Sequence, residues 1–142
     1  MASNEQIIWQ FLKKQGFTDA GAAGMMGNLF AESALSPINL QNTYEKKLGY
    51  SDAEYTAAVD QKIYTNFVND SAGYGLAQWT YPQRKRHMWD LWKVSIHRID
   101  DVEFQVWFAY IELTKEYNNL LNYLEQSETI YDCCDRICRE YE

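Results

Sequence analysis

Hydrophobic residues recur at helical spacing along most of this 142-residue chain. The first run begins at Ser3 and Gln6, which have the spacing of a capping box, and ends at Gly16. Similar combinations of caps and apolar stripes predict further helices from Thr18 to about Ser33, from Ser51 to about Asp60, from Pro82 to about Val94, from Asp100 onward, around Leu120–Leu124 and from about Ser127 onward. The pattern therefore predicts a mainly helical fold.

Two stretches interrupt the helical period. Residues 34–50 are rich in amides and show no sustained period, which predicts a loop. Residues 72–79 contain two glycines among alternating residues, which is typical of a strand or a hairpin. Along such a strand Tyr74 and Gln78 would lie on one face, because side chains alternate between the two faces. The sequence therefore indicates an α+β fold, mainly helical, with a small β-sheet or hairpin.

Length and charge narrow the class of protein. A chain of 142 residues has the size of one domain, and residues 1–142 are expected to form it. Thirteen basic against twenty acidic side chains give a net charge of −7, which argues against nucleic-acid binding. No apolar run is long enough for membrane insertion, and the polar N-terminus lacks the pattern of a signal peptide. The domain is therefore expected to be part of a longer protein or to reach its target by another route.

The single basic run, Arg84 to His87, follows the 72–79 stretch directly. It could make a neighbouring cleft locally positive, or it could lie on a solvated helix face. The second interpretation is the more common for such a run.

The cysteines indicate neither a disulfide framework nor a metal site. Cys133, Cys134 and Cys138 lie close together near the C-terminus. If residues 130–141 form a helix, Cys134, Ile137, Cys138 and Tyr141 share one face, and thiols in such a stripe are expected to be small core residues. The two histidines, His87 and His97, are too distant in sequence to complete a zinc site with them. We therefore expect no metal and no organic cofactor.

Glu32 is the first candidate for catalytic chemistry. It lies in the last predicted turn of the second helix, close to Leu29 and Phe30. The negative end of the helix dipole and apolar neighbours both favour the neutral form of a carboxyl group there. A protonated carboxyl is what a general acid needs in order to donate a proton to a glycosidic oxygen. A glutamate that merely ends a helix in solvent would have the same sequence pattern.

Asp70 is the candidate for a second carboxylate, since glycosidases commonly use a pair. It opens the glycine-containing stretch, although an aspartate there can also serve only to form local hydrogen bonds in a turn. Glu45, Asp52 and Asp60 are alternatives in the intervening segment. The sequence leaves the choice among them open.

Together these residues form a pattern that resembles a known active site. Glu32-Ser33, a loop, Asp70 and the run Gly73-Tyr74-Gly75-Leu76-Ala77-Gln78 are similar to the signature shared by goose-type lysozymes and soluble lytic transglycosylases. Trp79-Thr80 and the earlier Gly24-Met25-Met26-Gly27-Asn28-Leu29 make the chain most similar to phage tail-type lysozyme domains. The resemblance covers most of the chain. It implies a lysozyme-like α+β fold, with the small sheet or hairpin beside an active-site cleft.

The resemblance also implies an activity and a set of site residues. The expected reaction is hydrolysis of the β-1,4 bond between N-acetylmuramic acid and N-acetylglucosamine in bacterial peptidoglycan. Glu32 matches the catalytic acid, and Asp70 lies near the position of an aspartate that handles the attacking water. The residues expected to bind or support the sugars are Ser33, Tyr74, Gly75, Gln78 and Trp79. The isolated domain is expected to be a monomer that acts at the cell wall, from a phage tail, a conjugation apparatus or a secreted wall hydrolase.

Three alternatives remain. A lytic transglycosylase would use the same glutamate as acid and then as base, and would form a 1,6-anhydro product without needing Asp70. A glycan-binding or structural tail module would keep the cleft without turnover. A helical interaction domain would use its aromatic residues, 15% of the chain, only as core. That last class has little use for the two glycines of the 72–79 stretch.

Overall fold

The computed structural model describes residues 1–142 and contains eight α-helices. In chain order they are α1 (Asn4–Lys14), α2 (Asp19–Ser33), α3 (Asn42–Leu48), α4 (Asp52–Asp60), α5 (Pro82–Lys93), α6 (Val102–Glu116), α7 (Asn118–Leu124) and α8 (Ile130–Glu140). None of these helices is both long enough and apolar enough to cross a membrane. The mainly helical fold predicted from the hydrophobic period is confirmed.

Local capping explains where several helices begin. Reciprocal capping boxes start α1 at Ser3 and α4 at Ser51. The Thr18 side chain accepts a backbone hydrogen bond at the start of α2, and Pro82 occupies the first turn of α5. These starts match the predicted ones, whereas α6 begins after Asp101, one residue later than predicted.

Helix α2 packs most extensively against α8 and also contacts α1 and α7. Glycines allow the close approach of α8, because a Cβ atom added at Gly24 would lie 2.8 Å from the Cβ atom of Cys133. Asn28, buried on α2, donates a hydrogen bond from Nδ2 to the carbonyl oxygen of Cys134 at 3.0 Å. The predicted stripe was wrong for its thiols, because Cys134 is half-buried and Cys138 is exposed, whereas Cys133 is the cysteine that is buried with Ile137 and Tyr141.

The segment over residues 72–79 differs from the predicted strand. It contains only two isolated β-bridges, Leu40 with Tyr74 and Tyr74 with Trp79, and no small sheet is formed. Between the bridges the chain makes a tight turn, closed by a hydrogen bond of 3.1 Å from the backbone nitrogen of Gln78 to the carbonyl oxygen of Gly75. Both residues have positive φ, +83° at Gly75 and +51° at Gln78, so side chains cannot alternate as along a strand.

The predicted loop over residues 34–50 contains the short helix α3. None of its seven residues is buried, and Gly49 ends it in the left-handed conformation. A helix without a buried stripe leaves no hydrophobic period in the sequence, which explains why the pattern did not predict it.

Candidate active site

A polar cleft lies at the C-terminal end of α2. Its volume is about 270 Å³, and its lining has no hydrophobic residue. The lining residues are Glu32, Asn39, Gln41, Asn42, Thr43 and Gln78. Glu32 is therefore the only carboxylate among five uncharged polar side chains. Such a lining can offer many hydrogen bonds and one proton-transferring group to a polar ligand.

Glu32 lies in the last turn of α2, where the sequence predicts it, but the expected apolar surroundings are absent because its side chain and that of Phe30 are both exposed. The helix ends because Ala34 and Leu35 both adopt positive φ, +53° and +62°. The next side chain, Ser33, is buried, and its Oγ lies 3.0 Å from the carbonyl oxygen of Leu29 and 2.8 Å from that of Leu76. Through this hydroxyl the end of the helix that carries Glu32 is joined to the turn that carries Gln78.

Gln78 forms the facing part of the cleft. Its Nε2 donates hydrogen bonds to the carbonyl oxygens of Asn39 at 2.7 Å and Gly75 at 3.2 Å. Gly73 and Gln41 are paired in the same region: Gln41 N donates to Gly73 O at 2.8 Å, and Gly73 N donates to Gln41 Oε1 at 3.0 Å. A Cβ atom at Gly73 would lie 2.8 Å from Gln78 Oε1, so glycine leaves the space that this amide occupies.

The structure does not bring Asp70 to the cleft. Its side chain is fully buried, and Lys85, whose side chain is also fully buried, forms an ion pair with it at 2.7 Å. The hydroxyls of Tyr55 and Tyr64 donate to Asp70 Oδ2 at 2.6 Å and 2.8 Å, and Ala72 N donates to Oδ1 at 2.9 Å. Four donors thus surround this carboxylate, and its lone pairs are used within the protein.

Burial lowers the pKa of the lysine beside Asp70 and raises the pKa of the neighbouring tyrosine. Loss of solvent outweighs the attraction of Asp70 and lowers the pKa of Lys85 to about 8. The same loss of solvent, and then the negative charge of Asp70, raise the pKa of Tyr55 well above its ordinary value. Lys85 also donates to the carbonyl oxygen of Ala72 at 2.8 Å. Asp70 and Lys85 together therefore fix both backbone groups of Ala72, just before the turn.

Tyr74 and Trp79 are likewise buried rather than exposed to the cleft. The Tyr74 hydroxyl lies 2.6 Å from Thr56 Oγ1, and Trp79 Nε1 donates to Glu112 Oε1 at 2.8 Å. Gly75 is buried too. Of the residues predicted to bind sugar, only Gln78 lines the cleft, while the others lie beneath it.

The basic run from Arg84 to His87 divides between two environments. Arg84 forms a two-pronged ion pair with Glu112, at 2.7 Å and 2.9 Å, and Lys85 forms the pair with Asp70. Arg86 alone of the run is exposed, so neither of the two expected interpretations describes it. The reason is that the helical period of α5 turns Arg84 and Lys85 towards acidic groups within the protein.

The other acidic candidates do not line the cleft either. Asp52 accepts a hydrogen bond from the backbone of Leu40 at 3.0 Å, and Asp60 accepts one from the backbone of Ile99 at 3.0 Å. Hydrogen bonding to Asp52 raises the pKa of Glu45. Asp52 and Asp60 thus fix neighbouring loops.

Glu142 brings a second carboxyl group towards Glu32. Helix α8 lies along α2, and the residues that follow it reach the end of α2 that carries Glu32. Although Glu142 is exposed as a residue, the protein around its carboxyl and then the negative charge of Glu32 raise the pKa of Glu142 to about 8. No feature of the sequence alone pointed to this residue.

Comparison with known protein families matches residues 3–142 to the phage tail lysozyme family. The chain belongs to that family. Neither the curated proteins nor the solved structures contain a significant match. Membership in the phage tail lysozyme family implies a lysozyme-like, wall-degrading activity on peptidoglycan.

In this phage tail lysozyme domain, sequence reasoning missed most of the cleft lining. Asn39, Gln41, Asn42 and Thr43 belong to a segment predicted only as a loop. The cluster of amides after Pro37 could have predicted them, because amides are suited to bind the hydroxyl and acetamido groups of sugars.

A larger hollow of about 460 Å³ lies elsewhere, between α1, α5 and α6. It shares no residue with the polar cleft, and five of its eight lining residues are hydrophobic, including Phe11, Leu91 and Trp107. It contains neither Glu32 nor any of the amide side chains that line the polar cleft.

Proposed function

We propose that this domain is a muramidase, which hydrolyses the β-1,4 bond between N-acetylmuramic acid and N-acetylglucosamine in peptidoglycan. The observation that carries the proposal is that Glu32 lies exposed in a polar cleft lined by amide side chains, where a carboxyl group can act on a bound sugar. Family membership supports peptidoglycan as the substrate. The domain would act at the cell wall, as one folded unit and as a monomer when isolated.

In this proposal Glu32 donates its proton to the leaving glycosidic oxygen. The amide side chains of Asn39, Gln41 and Gln78 bind the N-acetyl sugars on either side of the bond. Because the Gln41 and Gln78 amides are held by backbone contacts, they would meet the substrate with little loss of conformational freedom.

The remaining predicted site residues take supporting roles in this proposal. Ser33, Gly75 and Trp79 would shape the walls from beneath. Asp70 and Tyr74 would hold the turn in place rather than contact substrate. Support for this assignment comes from their burial and from the hydrogen bonds that already occupy Asp70.

A lytic transglycosylase is the second candidate, and one observation favours it. That reaction needs a single glutamate, because the 6-hydroxyl of the muramic acid residue replaces water as the nucleophile. The cleft lining contains one carboxylate, and Asp70 is committed to Lys85. Hydrolysis would use a second carboxylate to assist water, and no second carboxylate lines the cleft.

The products distinguish the two reactions. Purified peptidoglycan is incubated with the wild type, with Glu32→Gln and with Glu128→Gln, and the released muropeptides are identified by mass spectrometry. Glu128 is a matched control because it is an exposed glutamate between α7 and α8. A muramidase gives reducing-end muramic products, whose release we expect Glu32→Gln to lower by about 10²–10⁴-fold.

Anhydro-muramic products lost in Glu32→Gln would assign the domain as a transglycosylase. Release that survives Glu32→Gln would show that another residue is the acid. If the wild type bound glycan but released nothing from any wall tested, a binding module would be the better account. Equal losses in Glu32→Gln and Glu128→Gln would indicate a general effect of surface charge.

A further inference from the structure

Gln105 is a buried amide at the start of α6 that belongs to no part of the cleft lining. Its Oε1 accepts a hydrogen bond from the backbone nitrogen of Leu76 at 2.9 Å. Its Nε2 donates to the carbonyl oxygens of Pro37 at 2.9 Å and Ile99 at 2.8 Å. One side chain thus binds three backbone segments that are far apart in sequence.

Two of these segments form the walls of the cleft. Leu76 belongs to the turn that presents Gln78, and Pro37 begins the segment that presents Asn39. The end of α2 is hydrogen-bonded to the same turn, because the Ser33 hydroxyl lies 2.8 Å from the carbonyl oxygen of Leu76. Gln105 is therefore connected to all three elements that surround the cleft.

The absence of a side chain at Gly75 leaves space for the Gln105 amide. A Cβ atom at Gly75 would lie 2.7 Å from Gln105 Oε1 and 3.2 Å from its Nε2, and the residue has φ of +83°. Its backbone nitrogen donates to the carbonyl oxygen of Asn39 at 3.0 Å, the oxygen that also accepts from Gln78 Nε2. Glycine at this position is thus what allows Gln105 to approach the turn.

We propose that Gln105 is a positioning residue, whose buried amide sets the separation of the two cleft walls and so the orientation of Gln78 towards Glu32. The inference rests on the proposed function, since it concerns the geometry in which that cleft would bind glycan. A purely structural amide would satisfy the same backbone groups without controlling Gln78.

The test compares Gln105→Glu with Val106→Ala. The glutamate variant keeps the shape and the Oε1 acceptor but loses the two N–H donations to Pro37 and Ile99. Val106 is buried on the same helix and has no side-chain hydrogen bond, so its truncation destabilises the core without altering the cleft contacts. Thermal unfolding first establishes that both variants are folded at the temperature of measurement.

The decisive readout is the side-chain amide signal of Gln78 in ¹H–¹⁵N spectra of the free protein, which needs no substrate. We expect Gln105→Glu to shift this signal and Val106→Ala to leave it in place. We also expect Gln105→Glu to weaken binding of a soluble N-acetylglucosamine oligomer and to lower muropeptide release, each by about tenfold or more, because two buried hydrogen bonds are lost and a carboxylate oxygen faces two carbonyl oxygens.

Gln105→Met provides a second route if Gln105→Glu does not fold, because methionine is of similar size and introduces no charge while it removes all three hydrogen bonds of the amide. We expect the same shift of the Gln78 signal from it. An unmoved Gln78 signal in a folded variant of either kind would overturn the inference, as would equal losses of binding in Gln105→Glu and Val106→Ala. A wild type that neither binds nor cleaves glycan would instead overturn the proposed function, while the Gln78 signal would still decide the role of Gln105.

Discussion

Glu32 and Asp70 are two carboxylates that approach the same turn, residues 73–79, in different environments. Glu32 is exposed in the polar cleft and belongs to none of the ion pairs in the structure. Asp70 is buried, bound to Lys85 and surrounded by hydroxyl and backbone donors. Both residues have the carboxyl group of a catalytic acid, but only the carboxyl of Glu32 is exposed and free of ion pairs, so that it can contact a ligand.

The difference shows how burial separates two uses of one functional group. A buried carboxylate needs partners to offset the loss of its hydration, and those partners then occupy it. An exposed carboxylate at a helix end contributes little to stability and can exchange its proton with a substrate. The following substitutions test this contrast, beginning with the largest expected effect.

Removing the charge of Asp70 should destabilise the fold. Asp70→Asn leaves the Lys85 ammonium buried without its counter-ion, so we expect the free energy of unfolding to fall by about 3–5 kcal/mol. Urea denaturation measures this change. Replacing both partners, with Asp70→Asn and Lys85→Met together, should recover part of the loss. A change in Asp70→Asn below about 0.5 kcal/mol, the usual range for a surface substitution, would contradict the structural role.

The pH dependence of stability should reveal the buried ammonium. The pKa of Lys85 is about 8 in the folded protein against an ordinary 10.5. Between these values the unfolded chain binds more protons, so this group makes the free energy of unfolding rise with pH, by up to about 3 kcal/mol, and the gain is lost as pH falls through about 8.

Denaturation of the wild type and Lys85→Met at pH 8 and pH 10 checks the sign. The tyrosines near Asp70 are present in both proteins, so their titration largely cancels in the difference. We expect the stability of the wild type to rise relative to the variant between the two pH values. A relative fall would mean that the ion pair raises the Lys85 pKa instead of burial lowering it.

Glu32→Gln should change stability in the opposite direction to Asp70→Asn. Removing a negative charge from the C-terminal end of α2 relieves its repulsion with the helix dipole and with Glu142. We expect stability to rise by about 0.3–1 kcal/mol while muropeptide release is lost. Thermal unfolding beside the release assay measures both. Loss of stability together with activity would place Glu32 in the same structural class as Asp70.

Glu142→Gln should have the smallest effect. With a pKa of about 8, Glu142 changes charge beside Glu32 in the range where a wall hydrolase is assayed. We expect the variant to alter the alkaline limb of the pH profile of muropeptide release, with a change of about two- to threefold, the size of a screened charge interaction. Gln126→Glu, an exposed control between α7 and α8, should leave the profile unchanged. Identical profiles of the wild type and Glu142→Gln would exclude the interaction.

The sequence predicted the helices whose starts are encoded locally. The capping boxes at Ser3 and Ser51 and the cap at Thr18 each join residues about one turn apart, so their pattern is visible without the fold. Helix α3 was missed because none of its residues is fully buried, and the strand over residues 72–79 was mistaken because glycines permit a turn as readily as an extended chain.

For the site, the sequence by itself determined the position of Glu32 at the end of α2 and selected Gln78, the one predicted sugar-binding residue that lines the cleft. Only the tertiary structure decided that Asp70 belongs to Lys85, that residues 39–43 line the cleft and that Gln105 holds its walls together. These contacts join segments between 15 and 68 residues apart. Residue types and local spacing do not predict such contacts, because the burial of a side chain and its hydrogen-bond partners are decided only when the helices pack.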